Sequence, residues 1–164
     1  MGVTRAITLT QPWAGLVASG VKLVENRDRP IISPKRFGET FGIHASREID
    51  PTVYDRIRQI APELFDGDLT EMLWYRMSRI TSAVIGVATV YGAIGIPSRR
   101  GLTVLGPGDL PPEQRRWFFG PVGYVMRGNR ALVEPITKVS GGLSNWLMPD
   151  HVAARVNGQI ARAA

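Results

Sequence analysis

The chain has 164 residues with 44% apolar and 21% charged side chains, values of a globular domain that can bury its own core without a disulfide or a structural metal. It has no cysteine and only two histidines, His44 and His151, which excludes disulfide scaffolds, thiolate metal sites and thiol nucleophiles and leaves too few ligands for a zinc site. Lysine plus arginine outnumber aspartate plus glutamate by 20 to 14, for a net charge of +6, and all but three of the cations are arginine, the side chain suited to bidentate phosphate contact and base stacking. Charge alone leaves two readings open, a polyanion partner or a solvated arginine-rich surface.

In chain order, residues 5–9 (RAITL) alternate as a short strand. Pro12 then opens a helix with Trp13, Leu16 and Val17 on one face, and Gly20 closes it. Residues 22–27 continue as a strand that carries Lys22, Glu25 and Arg27. A second strand is expected over 38–46 and a helix over 51–61, with Val53, Ile57 and Ile60 on its apolar side. The capping-box spacing of Asp68 and Glu71 predicts one short helix over 68–78. Residues 82–95 are rich in β-branched side chains and form a core strand, with Gly86 and Gly92 marking bends.

The proline- and glycine-rich run 96–116 reads as a long surface loop with a helical turn after Pro111-Pro112. A β-hairpin follows, 123–127 and 130–139 around a turn at Gly128-Asn129. A C-terminal helix near 150–162 carries Val152, Val156 and Ile160 and is interrupted at Asn157-Gly158. These elements predict a single α+β domain over 1–164, a small mixed β-barrel of about five to six strands with short flanking helices. No apolar stretch is long enough to cross a bilayer and the start lacks a secretory pattern, so a cytoplasmic location is expected, with no membrane partner.

Several residues carry chemistry. In a regular strand, period two would set Glu25 and Arg27 on one face and Lys22 on the other, unless the backbone is still bending after Gly20. A carboxylate between two cations either ties the helix–strand corner together or forms a nucleobase and phosphate site, Glu25 accepting from an exocyclic amine while Lys22 and Arg27 hold phosphate oxygens. Arg29, Lys35, Arg36 and Arg47 would make the neighbourhood positive, which favours single-stranded nucleic acid. Trp13 is either a core residue or a platform for a base. His44 is either a satisfied edge histidine or a proton carrier in the cleft, and Ser46 and Thr10 are the hydroxyls next to the signature, neither set in a nucleophilic triad.

Taken together, Gln11-Pro12-Trp13-Ala14, the spacing Gly20-x-Lys22-x-x-Glu25-x-Arg27, the triplet Ile43-His44-Ala45 and the strand Ala83–Val87 resemble the ASCH domain family, as does the run from Pro121–Val125 through Pro135-Ile136 to Asn145-Trp146-Leu147. The matches span roughly residues 6 to 148 and are thinnest around 96–116. The resemblance implies a PUA-like β-barrel with a cleft beside the first helix, and binding of RNA or, in some members, DNA. Some bacterial members are enzymes, small amidohydrolases acting on acetylated cytidine and a ribonuclease. In the amidohydrolase branch the catalytic lysine falls on Lys22 and the strand arginine on Arg27, but the nucleophilic threonine falls on Glu25, which removes the hydroxyl. The leading expectation is a module binding RNA or single-stranded DNA through Trp13, Lys22, Glu25, Arg27, Lys35, Arg36, His44, Ser46 and Arg47, without a cofactor or metal. The alternatives are an enzyme acting on RNA or a modified nucleoside through Lys22, Glu25 and His44, and a protein-interaction module using the loop 96–116.

Overall fold

The computed structural model describes residues 2–96 and 105–164; the centre of the expected 96–116 loop lies outside them. The first elements are β1 (Arg5–Gln11), α1 (Trp13–Ala18), β2 (Val24–Arg27), β3 (Thr40–Ile49), α2 (Thr52–Ile60) and α3 (Leu73–Ser78). They are followed by β4 (Ala83–Ile94), α4 (Pro112–Arg115), β5 (Val122–Thr137), β6 (Asn145–Leu147) and α5 (Asp150–Arg162). The six strands form one mixed sheet in the order β2-β5-β4-β3-β1-β6, in which β1 and β3 run parallel. The class is α+β, as expected.

Among the described residues no backbone ladder joins the edge strands β2 and β6, so the sheet is curled but not closed. Side chains span the opening. Arg27 donates from Nη2 to the Thr8 carbonyl at 2.8 Å, and Asn145 donates from Nδ2 to the Ile31 carbonyl at 2.6 Å.

Period two along β1 and β3 divides the molecule into an inside and an outside. Ile7, Leu9, Phe41, Ile43 and Ala45 face inward and meet Val17 and Ala18 of α1, together with Ile85, Val90, Tyr124 and Met126. Ala6 faces outward with Val84, Leu132 and Ile136, and α5 covers that layer with Val152 and Val156. A third cluster joins Leu16 and Val24 to Ile57, Trp74 and Trp117 beneath α2, α3 and α4. The approach of α1 to β4 requires a glycine, because a Cβ on Gly86 would lie 2.7 Å from the Ala18 Cβ and 2.8 Å from the Arg130 carbonyl. Bulges fall next to Gly86 and Gly92, where bends are expected.

Three expectations are corrected. The hairpin over 123–139 is instead one strand, β5, paired with β4 on both sides of Gly128; Gly128, at φ +64°, sits with Asn129 in a bulge opposite Ala88 of β4. Asn129 does not turn the chain but donates from Nδ2 to the Val17 carbonyl at 2.8 Å, adding a second donor to the Gly20 N–H that already meets this oxygen at the end of α1. The helix over 68–78 is two pieces, a 3₁₀ turn at Leu69–Glu71 and then α3, separated by Met72 in extended backbone. Finally, α5 runs through Asn157-Gly158 without a break, since the Asn157 amide bonds back to Ala153 and clasps both the N–H and the carbonyl of Val3.

Candidate functional site

Between α1 and β2 the chain must reverse, and Gly20 does so at φ +81°. The bend leaves Lys22 outside the regular strand, which begins at Val24, so period two does not govern it. Its Nζ donates to the Val24 carbonyl at 2.6 Å and to Glu25 Oε2 at 3.4 Å. On the other side of the carboxylate, Arg27 Nε lies 3.3 Å from Oε1 but is not aligned for a hydrogen bond. The Lys22 and Glu25 side chains are 2% and 9% exposed, against 23% for Arg27. Burial holds the Lys22 ammonium below the usual lysine range, outweighing the pull of Glu25 in the opposite direction. The three residues singled out by spacing converge.

Glu25 and Arg27 line a cleft of about 510 Å³ together with Trp13, Phe119, Arg56, Asp28 and Thr8–Thr10 among others, whereas Lys22 is buried and does not line it. The Trp13 and Phe119 rings are 5.6 Å apart and tilted by 48°, and the Lys22 ammonium lies 5.2 Å from the Trp13 centroid. Trp13 also meets Trp117 edge-on at 6.5 Å, so it is half core residue and half cleft wall. The Arg56 guanidinium stacks 4.1 Å above Phe119. Asn26 holds the wall in place: its Nδ2 donates to the Trp117 carbonyl at 2.8 Å and its Oδ1 accepts from the Phe119 N–H at 3.0 Å. Gln11, fully buried, accepts from the Gly15 N–H and donates to the Met77 and Ile80 carbonyls, pinning α1 and α3 at the back.

The remaining expected residues lie elsewhere. Arg36 is engaged by both oxygens of Glu39 at 3.1 Å, and neither it nor the exposed Lys35 lines this cleft. His44, Ser46 and Arg47 line a second cleft, of about 530 Å³, with Thr8, Ser82 and Lys138–Gly141. His44 faces away from Glu25 because Ile43 and Ala45 point inward. Its Nε2 lies 2.7 Å from the Val139 carbonyl, a pure acceptor, so that nitrogen carries the proton. Its Nδ1 then accepts from Thr8 Oγ1 at 3.2 Å, while Thr8 Oγ1 accepts from the Trp146 indole at 3.0 Å. Burial lowers the pKa of His44, the bond to Val139 opposing the shift. Lys22 and Glu25 therefore form a pair that His44 does not join.

Phe119, Arg56 and Thr8 were not among the residues expected from sequence. The run Arg115-Arg116-Trp117-Phe118-Phe119 carried a usable signal, basic residues beside aromatics. Arg56 carried none, since on the polar side of α2 it looks like any solvated arginine. Among the described residues no three His, Asp or Glu side chains converge to hold a metal ion, and no helix is long and apolar enough to cross a membrane.

No family model and no curated protein matches this sequence. Among solved structures the chain is similar to an ASCH protein from Zymomonas mobilis, at 18% identity and a TM-score of 0.46 over 92% of this chain and 91% of that one. Two single-residue variants of that protein are similar to it as well, at 18% and 16% identity with TM-scores of 0.48 and 0.47, covering 92% of this chain and 94% and 92% of theirs. These neighbours bear the name of the family that the QPWA and G-x-K-x-x-E-x-R residues resemble.

Proposed function

We propose that this chain is an ASCH-type domain that binds single-stranded nucleic acid, RNA in preference, with one base held in the cleft between α1 and β2. The observation that carries this reading is the combination in that cleft of a buried carboxylate, two aromatic rings and two arginines. A base entering it stacks against Trp13 or Phe119, and its exocyclic amine meets Glu25 as acceptor. Arg27 and Arg56 stand where the flanking phosphates pass. The overall charge of +6 steers a polyanion toward the site.

The test is binding of a labelled single-stranded RNA ten-mer of mixed sequence, followed by fluorescence anisotropy. Phe119 is 39% exposed and Arg56 is exposed, so Phe119→Ala and Arg56→Gln leave the fold in place. Loss of one stacked base weakens binding by about 1–3 kcal/mol, roughly 5- to 150-fold. Unchanged affinity in both variants would sink the reading.

The lowered pKa of Lys22 beside Glu25 favours a second reading, an enzyme acting on RNA or a modified nucleoside with Lys22 and Glu25 as its acid–base pair. It expects a product from RNA or from an N-acylated nucleoside, lost in Glu25→Gln while circular dichroism stays unchanged. No product from either class of substrate excludes it.

A further inference from the structure

The second cleft has a different chemistry from the first. Three chain segments build its rim and are tied together through the backbone: the Ser82 N–H donates to the Ser46 carbonyl at 3.2 Å and the Val139 N–H donates to the Ser82 carbonyl at 3.0 Å. Each segment brings a serine, Ser46, Ser82 and Ser140, and two of them bring a cation, Arg47 and Lys138. No carboxylate lines the cleft. The contact of Arg47 with Glu48 is 3.7 Å long and largely in solvent, so it holds the guanidinium weakly. Lys138 has no ion-pair partner among the described residues. No Trp, Tyr or Phe lines this cleft, so it offers charge and hydrogen bonds but no platform for a base. The floor is closed by Gly141, where a Cβ would lie 2.6 Å from Thr8 Oγ1 and 2.8 Å from the His44 ring.

The two clefts meet at one residue. Thr8 lines both: its carbonyl accepts from Arg27 on the first side, and its hydroxyl joins His44 and Trp146 on the second. We propose that the second cleft is a phosphate subsite, filled by the backbone phosphate of the nucleotide next to the one whose base occupies the first cleft. The proposal rests on the nucleic-acid reading above and narrows its ligand to a strand of at least two nucleotides. Such a ligand crosses β1 at Thr8, with its base on the aromatic side and its charge on the serine-rich side. Three of the residues expected from sequence, His44, Ser46 and Arg47, thereby belong to the ligand track without sharing the pocket of Glu25.

The experiment uses the full chain and the double variant Arg47→Gln/Lys138→Gln, both sites being exposed. With the same RNA ten-mer, the double variant is expected to bind about tenfold more weakly and to flatten the dependence of log affinity on log salt by about 1.4, two single-strand phosphate contacts. Inorganic phosphate titrated into labelled wild-type protein should shift the amide resonances of Ser82, Ser140 and Gly141, and should not do so in the double variant. If affinity and salt slope are unchanged in the double variant while Phe119→Ala still weakens binding, the subsite is refuted and the first-cleft reading survives. If phosphate shifts those amides but the ten-mer is unaffected by the double variant, the cleft holds a free anion and the strand assignment is overturned. A wild-type protein that binds no ten-mer removes both readings.

Discussion

Glu25 is the residue on which the site turns, because its carboxylate is buried between two cations that differ in their freedom to escape. Arg27, 23% exposed, can swing into water, whereas Lys22, 2% exposed, cannot. Glu25→Leu therefore strands a buried ammonium and is expected to lower stability by about 3 kcal/mol, while Lys22→Met/Glu25→Leu restores much of it; urea unfolding of the three proteins checks this. His44 supplies a pH dependence. Its pKa lies below the free value of 6.5, so as pH falls the unfolded chain takes up a proton that the folded one refuses. Its contribution is complete above about pH 6.5 and is lost as pH drops toward the folded value. The urea midpoint should fall more between about pH 7 and pH 5 in wild type than in His44→Gln, which keeps a donor for Val139. At this scale the spacing of Lys22, Glu25 and Arg27 was legible because each is close in sequence to the turn at Gly20. The return of Lys22 to Glu25 was legible only as one of two alternatives, because it depends on where the regular strand begins.

At the scale of elements, strong local signals read well and ambiguous ones yielded to pairing. Gly20 ends α1, and the bends at Gly86 and Gly92 lie where their isolation in an apolar strand put them. Gly128-Asn129 has the composition of a hairpin turn, but β4 offers twelve residues of ladder and β5 follows them, absorbing the glycine as a bulge. Such a bulge holds Gly128 at φ +64° with nothing within 4 Å of a would-be Cβ. Gly128→Ala is thus expected to cost about 1 to 2 kcal/mol from backbone conformation alone, read as a shift of the urea midpoint without loss of RNA binding. Asn157 shows the same tertiary override: a residue that competes with helix structure locally is satisfied inside α5 because Val3 lies beside it. Val3 is far from it in sequence, so no local pattern could have shown the clasp.

For the whole molecule, sequence pattern gave the α+β class, but not the joining of the expected hairpin into one strand, the short strand β6, or the way in which the opening between β2 and β6 is spanned by Arg27 and Asn145 instead of by a ladder. The alternation along β1 and β3 is also what separates the expected site into two clefts, since it places His44 on the face opposite to Ile43 and Ala45. Arg27, Arg56, Arg47 and Lys138 are the four cations lining the two clefts. If each meets a phosphate, log affinity for the RNA ten-mer should fall with log salt at a slope of about −2.8, measurable between about 50 and 200 mM salt. The clasp between the chain's ends has a further consequence, for the order in which the molecule is made. Arg5 pairs with Leu147, and its guanidinium contacts Asn145, 140 positions later. At roughly 5–20 residues per second, a ribosome needs on the order of ten seconds to supply that partner. Through that interval β1 can dock on β3 but keeps its other edge bare, so the nascent chain passes through a stage in which Arg5–Ile7 lack the strand partner they have in the finished protein.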